Sequence, residues 1–461
     1  MKRRALLGGT AATVTGIALT GCQRVMTTLD PRSSGTPVLD WPLTRERSKP
    51  AWILQRAAFG PSPTDFQRLT ELGKEGWLKE QLAAHEGDQG ETLGLRWHLR
   101  SADVFDPDNG YELRDRPPED VLADLQRAAV LRLVYSKWQL RERLCEFWAN
   151  HFNIYARKVY TAPTREFATG ELLFLLGEDL TKVTRKEALG SFPAMVQQSM
   201  HSAAMLGYLD NQVSKKQAPN ENYARELMEL HTLGVEGGYT QQDVHEVARC
   251  LSGWTIEDRF LKPSGTVYFD ANRHDDGQKH ILGHRIAAGG GETDAIRVWE
   301  IVTQHPSTAR FIARKLVRHF YGEGGDAQTL EKKVAATYQK TNGDIRAMVT
   351  TLLTAPELHD APPMIKRPLD FLVSALRETN AKTNAAPALQ RHLSAMGQGL
   401  YEWPMPDGYP DRTAAWMGSL LARWNFALAL AFNTIEGTRV ESTRSRDDLA
   451  LYLASPEFQW R

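Results

Sequence analysis

Apolar residues recur at three- and four-residue spacing through most of the chain after residue 50, which is the pattern of helices that bury one face. The clearest stretches cover residues 121–152, 306–321, 345–353, 368–377 and 414–432. Capping boxes that begin at Ser62 and Thr240 mark two helix starts. The sequence therefore predicts a mainly α fold.

One segment departs from the helical pattern. Near residues 266–285, short apolar runs at 267–269 and 281–282 flank the turn former Asp276-Gly277. We therefore predict a large multi-helix globular body that carries one small β-hairpin-like excursion in this region.

The N-terminal segment has the organisation of a signal peptide. Lys2, Arg3 and Arg4 precede a mildly apolar stretch at residues 6–20, and no acidic residue occurs before Asp30. The stretch is too short to span a bilayer as a helix, which takes about 20 apolar residues. The arginine pair indicates twin-arginine export of a folded protein, with a general secretory signal as the alternative. Residues 1–21 are the predicted signal peptide.

Cys22 follows Leu19, Thr20 and Gly21, and together these residues match the lipobox of bacterial lipoproteins. Small residues let the signal peptidase reach the bond, and the thiol takes a diacylglyceryl group. We predict lipidation at Cys22 and an exported protein that is held on a membrane, in the periplasm or at the cell surface. Residues 22–50 are polar and contain prolines, which predicts a flexible tether with a reach of roughly 30 Å.

Charge argues against nucleic acid as a partner. The chain has 56 basic and 56 acidic residues, and the signal peptide contains three basic and no acidic residues, which leaves 53 against 56, a net charge of −3. Residues 51–461 are long enough to bury a large core, and we predict that they form a single helical body. The two cysteines of this body, Cys145 and Cys250, are expected to be buried free thiols.

The most informative run of the body is 220–234. Treated as one regular helix, it places Asn222, Glu226 and Glu229 on one stripe beside the buried face. Two carboxylates one turn apart repel each other unless a cation or a proton lies between them, which is the geometry of metal sites and acid–base pairs. Neutralisation by Arg225 on a solvated face explains the same pattern equally well.

Imidazole groups are the other candidates in a motif-rich core at residues 141–285. His151 lies on the apolar face of its predicted helix, where a site role competes with a role as a satisfied core residue. His274 and Asp275 lie close together in the β-like excursion. With His231 they are the predicted ligands of a divalent or transition metal ion, although their spacing matches no strong metal motif. The sequence leaves the cofactor unknown.

Two further segments carry candidate functional side chains. Residues 401–410 form an aromatic, proline-rich loop in which Trp403 and Tyr409 would stack on a substrate or line a pocket, although a packed structural loop fits the same residues. Arg310, Arg314 and Arg318 form a basic stripe with Lys315 beside it, and we expect this stripe to be a solvated face.

Several motifs run through the body, and these are Phe147-Trp148-Ala149-Asn150-His151-Phe152, the run 220–234, Tyr239-Thr240 with Asp243, Ser252-Gly253-Trp254-Thr255, and His274-Asp275 followed by Lys279 and Leu282-Gly283. With them the chain resembles the bacterial domain-of-unknown-function family 1800. The resemblance implies export and no established reaction. It also implies a candidate partner, a co-encoded exported protein of the alkaline phosphatase and sulfatase-like group. A lipobox is not general in the family, so the lipid prediction rests on Cys22 itself.

Two functional hypotheses follow. In the first, the protein is a lipid-anchored enzyme of the cell envelope with metal-assisted acid–base chemistry, most simply hydrolysis of an envelope or extracellular substrate. Its catalytic groups would be Glu226, Glu229, His151 and Arg225. Its substrate-binding groups would be Asn220, Asn222, Trp403 and Tyr409. In the second, the body is a non-catalytic surface scaffold or an assembly partner of another exported protein, and its polar motifs are buried hydrogen-bond networks.

Overall fold

The computed structural model describes residues 52–83, 117–161, 169–257 and 265–461. The predicted signal peptide, the lipidation site Cys22 and the predicted tether lie outside these ranges. Within them the chain forms 18 α-helices and four pairs of short antiparallel strands. The predicted mainly α fold is therefore confirmed.

The helices follow one another along the whole body. The first nine are α1 (Trp52–Ala57), α2 (Pro63–Leu82), α3 (Pro118–Tyr135), α4 (Gln139–His151), α5 (Leu173–Asp179), α6 (Phe192–Met200), α7 (Ala203–Tyr208), α8 (Glu221–Glu226) and α9 (Gln241–Leu251). The other nine are α10 (Thr293–Gln304), α11 (Pro306–Phe320), α12 (Ala327–Thr341), α13 (Ile345–Leu353), α14 (Pro368–Glu378), α15 (Pro387–Ala395), α16 (Leu420–Ala431), α17 (Arg446–Ala454) and α18 (Pro456–Gln459). No helix in the described ranges is long and apolar enough to cross a membrane.

Local sequence explains where several helices begin and end. The Thr240 side chain accepts the N–H of Asp243, whose carboxylate accepts the N–H of Thr240, so the predicted capping box starts α9. The stretch 121–152 is split into α3 and α4 because the chain turns after Tyr135. Gln139 supports that turn, since its Nε2 donates to the carbonyls of Leu133 and Ser136.

Wider helical turns occur at two places. The π-helical segments Leu180–Arg185 and Leu227–Thr232 directly follow α5 and α8. Short 3-10 helices are Asn211–Val213, Pro356–Asp360 and Thr413–Ser419. The last of these replaces the first turns of the helix that was predicted from residue 414, and it leads into α16.

The strand pairs are β1 (Val159–Thr161) with β2 (Thr169–Glu171), β3 (Trp254–Ile256) with β4 (Val267–Phe269), β5 (Lys279–Ile281) with β6 (His284–Ile286), and β7 (Lys382–Thr383) with β8 (Thr438–Arg439). The predicted excursion at 266–285 therefore contains strands, but its two apolar runs do not pair with each other. β4 pairs back to β3, and β5 turns through Leu282 and Gly283, both at positive φ, into β6. The positive φ angles suit a two-residue hairpin, which the sequence pattern did not reveal.

Buried apolar side chains form two large clusters, which both contact Tyr401. One extends from α1 to residue 361, and the other joins α3 to the C-terminal helices. A buried ionic group connects the helices beside them: the Asp370 carboxylate of α14 lies 2.8 Å from Arg143 of α4, 3.4 Å from Arg367 and 4.0 Å from Arg461. Burial and the guanidinium groups act in opposite directions on the pKa of Asp370, and Arg461 and Arg143 hold it well below its usual range.

Candidate functional site

The run 220–234 is not one regular helix. Asn220 caps it and α8 follows, but after Glu226 the backbone widens, and the N–H of Leu233 donates to the carbonyl of Met228, five residues earlier, at 2.9 Å. The Thr232 hydroxyl donates a hydrogen bond to the Leu227 carbonyl at 2.6 Å. A π-helical turn is rare and is frequently found at functional sites. Here it carries His231.

His231 is completely buried beside His151, the last residue of α4. Their ring centroids are 6.1 Å apart, and His151 Nε2 donates to the backbone carbonyl of His231 at 3.0 Å. Aromatic rings surround the pair, with Phe152 5.0 Å from His231 and Phe311 6.3 Å from His151. The structure thus brings together two of the predicted site residues, which are 80 positions apart in sequence.

Three ring nitrogens of this pair have no hydrogen-bond partner among the described residues: Nδ1 of His151 and both nitrogens of His231. Burial lowers the pKa of His231 to about 3, and burial lowers that of His151 well below its ordinary value. Both imidazoles are therefore neutral at physiological pH and offer unprotonated nitrogens. Buried polar atoms without partners are rare and indicate a site for water, an ion or a ligand.

Lys315 of α11 is the charged neighbour of both histidines. Its Nζ lies 5.7 Å from the ring centroid of Phe311, and after burial its charge is the second cause that lowers both histidine pKa values. Burial also lowers the pKa of Lys315 itself to about 8, although the negative charge of Asp411 acts to raise it. Gly234, at φ 83°, permits this packing because a Cβ there would lie 2.7 Å from Phe311. The site therefore contains a lysine that loses its proton near neutral pH.

The two predicted acids lie at the start of the π-helical turn. Glu226 is half-buried, and burial followed by the charge of Glu229 raises its pKa, while Arg225 acts in the opposite direction and Asp407 adds to the increase. Glu229 lies 3.5 Å from Arg225. Arg225 thus pairs with Glu229, while Glu226 has a raised pKa, and the role of these two acids stays a prediction.

The loop 401–410 packs against this region. Asn150 of α4 binds both backbone groups of Tyr409: its Nδ2 donates to the carbonyl at 3.0 Å, and its Oδ1 accepts the N–H at 2.8 Å. The Tyr409 hydroxyl donates to the Gly399 carbonyl at 2.6 Å, and its ring lies 4.9 Å from that of half-buried Trp403. Tyr409 is thus a packed residue of the loop, the reading that competed with substrate stacking.

Asn220 and Asn222 act on backbone groups. Asn220 Oδ1 accepts the N–H of Asn222, its Nδ2 donates to the Asp210 carbonyl at 3.1 Å, and Asn222 Nδ2 donates to the Leu209 carbonyl at 3.2 Å. They therefore connect the start of α8 to the end of α7. By fixing the backbone of α8, the two amides also fix the position of Glu226 at its end.

His274 and Asp275 form a separate group. The His274 ring nitrogens lie 2.8 Å from the Ser252 carbonyl and 3.2 Å from the Asp294 carboxylate, which also pairs with buried Lys279. Both oxygens of Asp275 accept hydrogen bonds from Arg249, at 2.8 and 3.0 Å. Arg249 is the main cause that lowers the pKa of Asp275 to about 2.

The structure does not group the three predicted metal ligands. The side chains of His274 and Asp275 already form hydrogen bonds with other residues of the protein. His231 lies beside His151 instead. In the described ranges, no three residues among His, Cys, Asp and Glu are grouped so that they could hold a metal ion. A metal ion bound by other means stays a prediction.

A cavity of about 80 Å³ lies on the other side of α4. Its polar wall includes Glu142, Cys145, Glu146 and Arg185, and Glu142 pairs with Arg185 through two contacts of 2.7 Å. Burial raises the pKa of Cys145, so its thiol is protonated and unreactive. Cys145 and Cys250 are buried free thiols, as predicted.

Sequence reasoning missed Lys315 and the aspartates near it. The three arginines beside Lys315 have exposed or half-exposed side chains, and Arg318 lies 3.3 Å from Asp411. Lys315 follows Phe311 by one turn and precedes buried His319 by one turn. That flanking by aromatic residues at four-residue spacing was the available signal that this lysine differs from its basic neighbours.

Comparison with known proteins supports the resemblance of the sequence motifs. The family model described as "Protein of unknown function (DUF1800)" matches residues 52–460, nearly the whole body. No curated protein and no solved structure matches the chain. The chemistry of the site must therefore be argued from its geometry.

Proposed function

We propose an enzymatic function for this chain, which belongs to the family of proteins of unknown function DUF1800. The protein is a lipid-anchored enzyme of the cell envelope, with an acid–base site between His151, His231 and Lys315. Its substrate is an envelope or extracellular molecule, and its reaction is most simply a hydrolysis. The sequence of residues 1–22 supports the location, and the buried polar group supports the chemistry.

The observation that carries the proposal is His231, whose two ring nitrogens are buried without partners. Leaving such a group unsatisfied costs about 1–3 kcal/mol per donor or acceptor, so a core histidine without a role would usually acquire a partner or be replaced by an apolar residue. The π-helical turn that carries it is a second rare local feature. A bound substrate or water would satisfy these nitrogens.

Each group has a chemical role that follows from its ionisation. The neutral imidazole of His231 accepts a hydrogen bond and so orients a substrate or water, because its pKa of about 3 is too low for an efficient general base at neutral pH. Lys315, with a pKa of about 8, binds an anionic group or donates a proton at neutral pH. Glu226, whose pKa is raised, exchanges a proton at the start of the π-helical turn. Glu229 pairs with Arg225 next to it.

The test compares products, because the substrate is unidentified. Purified wild-type protein is incubated with envelope extract from cells that lack the gene, and soluble and lipid products are compared by mass spectrometry. We expect at least one product to form with wild-type protein and to be lost with His231→Gln and Lys315→Met. The exposed substitution His359→Gln is the control and should retain it. Equal products from all four proteins would refute the proposal.

A metal cofactor is a separate part of the prediction. The donors that are left for it are the unpartnered nitrogens of His151 and His231, which do not complete a three-ligand set in the described ranges. Metal analysis of the protein, purified without chelator, tests this directly. A stoichiometric transition metal that is lost in His231→Gln would add metal chemistry to the site, whereas retention of metal in that variant would locate it elsewhere.

The scaffold function has one observation in its favour. Asn220 and Asn222 donate to backbone carbonyls, as groups that fix helix packing do. If the body is only a scaffold, Asn220→Ala should lower stability and partner recovery together, while His231→Gln changes no product. Loss of a product in a folded His231→Gln variant favours the enzyme.

A further inference from the structure

One side of α16 and of the 3-10 turn before it is exposed and apolar. Its large side chains, which we call the α16 face, are Met417, Leu420, Leu421, Trp424, Leu428 and Phe432. At about 100° per residue, the five from Leu420 to Phe432 lie within an arc of about 120°. Apolar residues on one side of a helix usually pack against the protein, but this apolar side of α16 is exposed.

The α16 face also lacks charge. Arg423 is the one charged residue between positions 413 and 435, and it points into the protein. Its guanidinium donates to Gln459 Oε1 at 3.1 Å and to the Lys366 carbonyl at 2.8 Å. Contiguous exposed apolar patches often mark interaction sites.

We propose that the α16 face docks on a membrane surface, with its side chains at the boundary between headgroups and acyl chains. This inference rests on the proposed attachment of the chain to a membrane through Cys22. It adds that the body itself lies on the lipid in a fixed orientation, rather than being held clear of it by the tether.

The chemistry of the face favours lipid. Leu, Phe and Met side chains suit acyl chains, and Trp424 suits the interface, where indole rings accumulate. Arg412 and Arg439 are exposed beyond the two ends of the uncharged stretch, together with Glu436, and the two guanidinium groups suit anionic headgroups. The face itself, within residues 413–435, exposes no charged side chain, so its centre offers no ion pair to a protein partner.

The origin of the tether supports the same occupant. The body begins at α1, where Gln55 Nε2 lies 3.5 Å from Glu378 Oε1, and the Tyr452 hydroxyl donates to the same carboxylate at 3.1 Å. Tyr452 belongs to α17, which packs along α16. α1 therefore lies near α17, the neighbour of α16, and the roughly 30 Å reach of the predicted tether allows the α16 face to lie on the lipid.

The test measures vesicle binding without the lipid anchor. The full chain with Cys22→Ser is mixed with vesicles of phosphatidylethanolamine and phosphatidylglycerol, and the bound fraction is measured by flotation. Leu421→Glu in this background should weaken binding about ten-fold or more, because an exposed leucine is replaced by a charge. Val235→Glu is the matched control, since Val235 is 69% exposed and Leu421 70%. It should leave binding within about two-fold.

Two results would overturn the inference. One is equal vesicle binding by the Leu421→Glu and Val235→Glu proteins. The other is a wild-type dimer, measured by sedimentation equilibrium, that Leu421→Glu dissociates, since the face would then bind a second copy. Mass spectrometry of Cys22 in the unmodified chain tests the lipid anchor separately. Loss of the anchor and loss of the docking face are thus distinguished.

Discussion

His151 donates its Nε2–H to the backbone carbonyl of His231 at 3.0 Å. A carbonyl accepts only, so this bond fixes the proton of His151 on Nε2 and leaves Nδ1 as the unprotonated nitrogen. The contact also holds the π-helical turn of His231 against the end of α4. One hydrogen bond therefore sets both the tautomer of one imidazole and the position of the other, and the predictions below test the group around it.

The first prediction concerns acid stability. The pKa of His231 is about 3 in the folded protein and about 6.5 when unfolded, so the unfolded chain binds the extra proton in this window and stability falls as the pH falls through it. His231→Gln should reduce the slope of unfolding free energy against pH by about 1.4 kcal/mol per pH unit between pH 4 and 6. Denaturant unfolding at a series of pH values measures this. The exposed His359→Gln is the control, and an unchanged slope for His231→Gln would contradict the buried neutral state.

The second prediction concerns the reactivity of Lys315. Only the neutral amine is a nucleophile, and the pKa of Lys315 is about 8. Acylation of Lys315 by an amine-reactive ester should therefore reach half its maximal rate near pH 8. A lysine of ordinary pKa gains reactivity up to about pH 10. Peptide mass spectrometry after short labelling at each pH measures the rate, with exposed Lys332 as an internal reference. A half-maximal pH near 10 for Lys315 would exclude its proposed role as a proton donor at neutral pH.

The third prediction concerns the contact of the loop 401–410 with α4. Gly408 has φ 73°, and a Cβ there would lie 2.2 Å from the Asn150 carbonyl oxygen. Gly397 has φ 92° with open space around it, so Gly397→Ala meets only the backbone penalty of about 1 kcal/mol. We expect Gly408→Ala to lower the unfolding free energy by about 1 kcal/mol or more beyond the loss in Gly397→Ala, because the added Cβ overpacks the contact with Asn150. Hydrogen exchange should also accelerate in the loop for Gly408→Ala alone, and equal exchange in both variants would count against the contact.

The fourth prediction concerns the buried ionic group. Asp370→Asn keeps the shape of the side chain but leaves Arg143, Arg367 and Arg461 with less compensation, which should cost about 3–5 kcal/mol. Glu300→Gln breaks an exposed pair with Arg297 and should cost less than about 1 kcal/mol. Thermal and denaturant unfolding measure both. Similar small losses would mean that water or relaxation compensates the guanidinium groups.

Much of the fold could be predicted because its determinants are local. The apolar period and the capping residues predicted α9, α11, α13 and α14, and the structure confirms each. The π-helical turn after Glu226 could not be predicted, since the pattern of 220–234 fits a regular helix and the turn contacts α4 and α11, which are distant in sequence. The pairing of β4 with β3 was missed for a similar reason: strand partners are chosen by contacts between residues distant in sequence.

The candidate site divides in the same way. The pattern of the chain singled out His151, His231, Glu226 and Arg225, because their types and spacing are unusual for a solvated or a buried helix face. It also assigned His274 and Asp275 to a metal site, although Asp294, Lys279 and Arg249 satisfy them in the structure. These partners come from other helices and strands, so no local pattern reveals them.

The sequence by itself determined the helical class, the family resemblance, the helix caps and the residues that carry chemistry, because each depends on neighbours along the chain. Only the tertiary structure decided which of these residues meet. It placed His231 and Lys315 together through the close approach of Gly234 to Phe311, and it left the α16 face uncovered. Burial, which sets the pKa values of the site, belongs to the packed protein and not to any one segment of the chain.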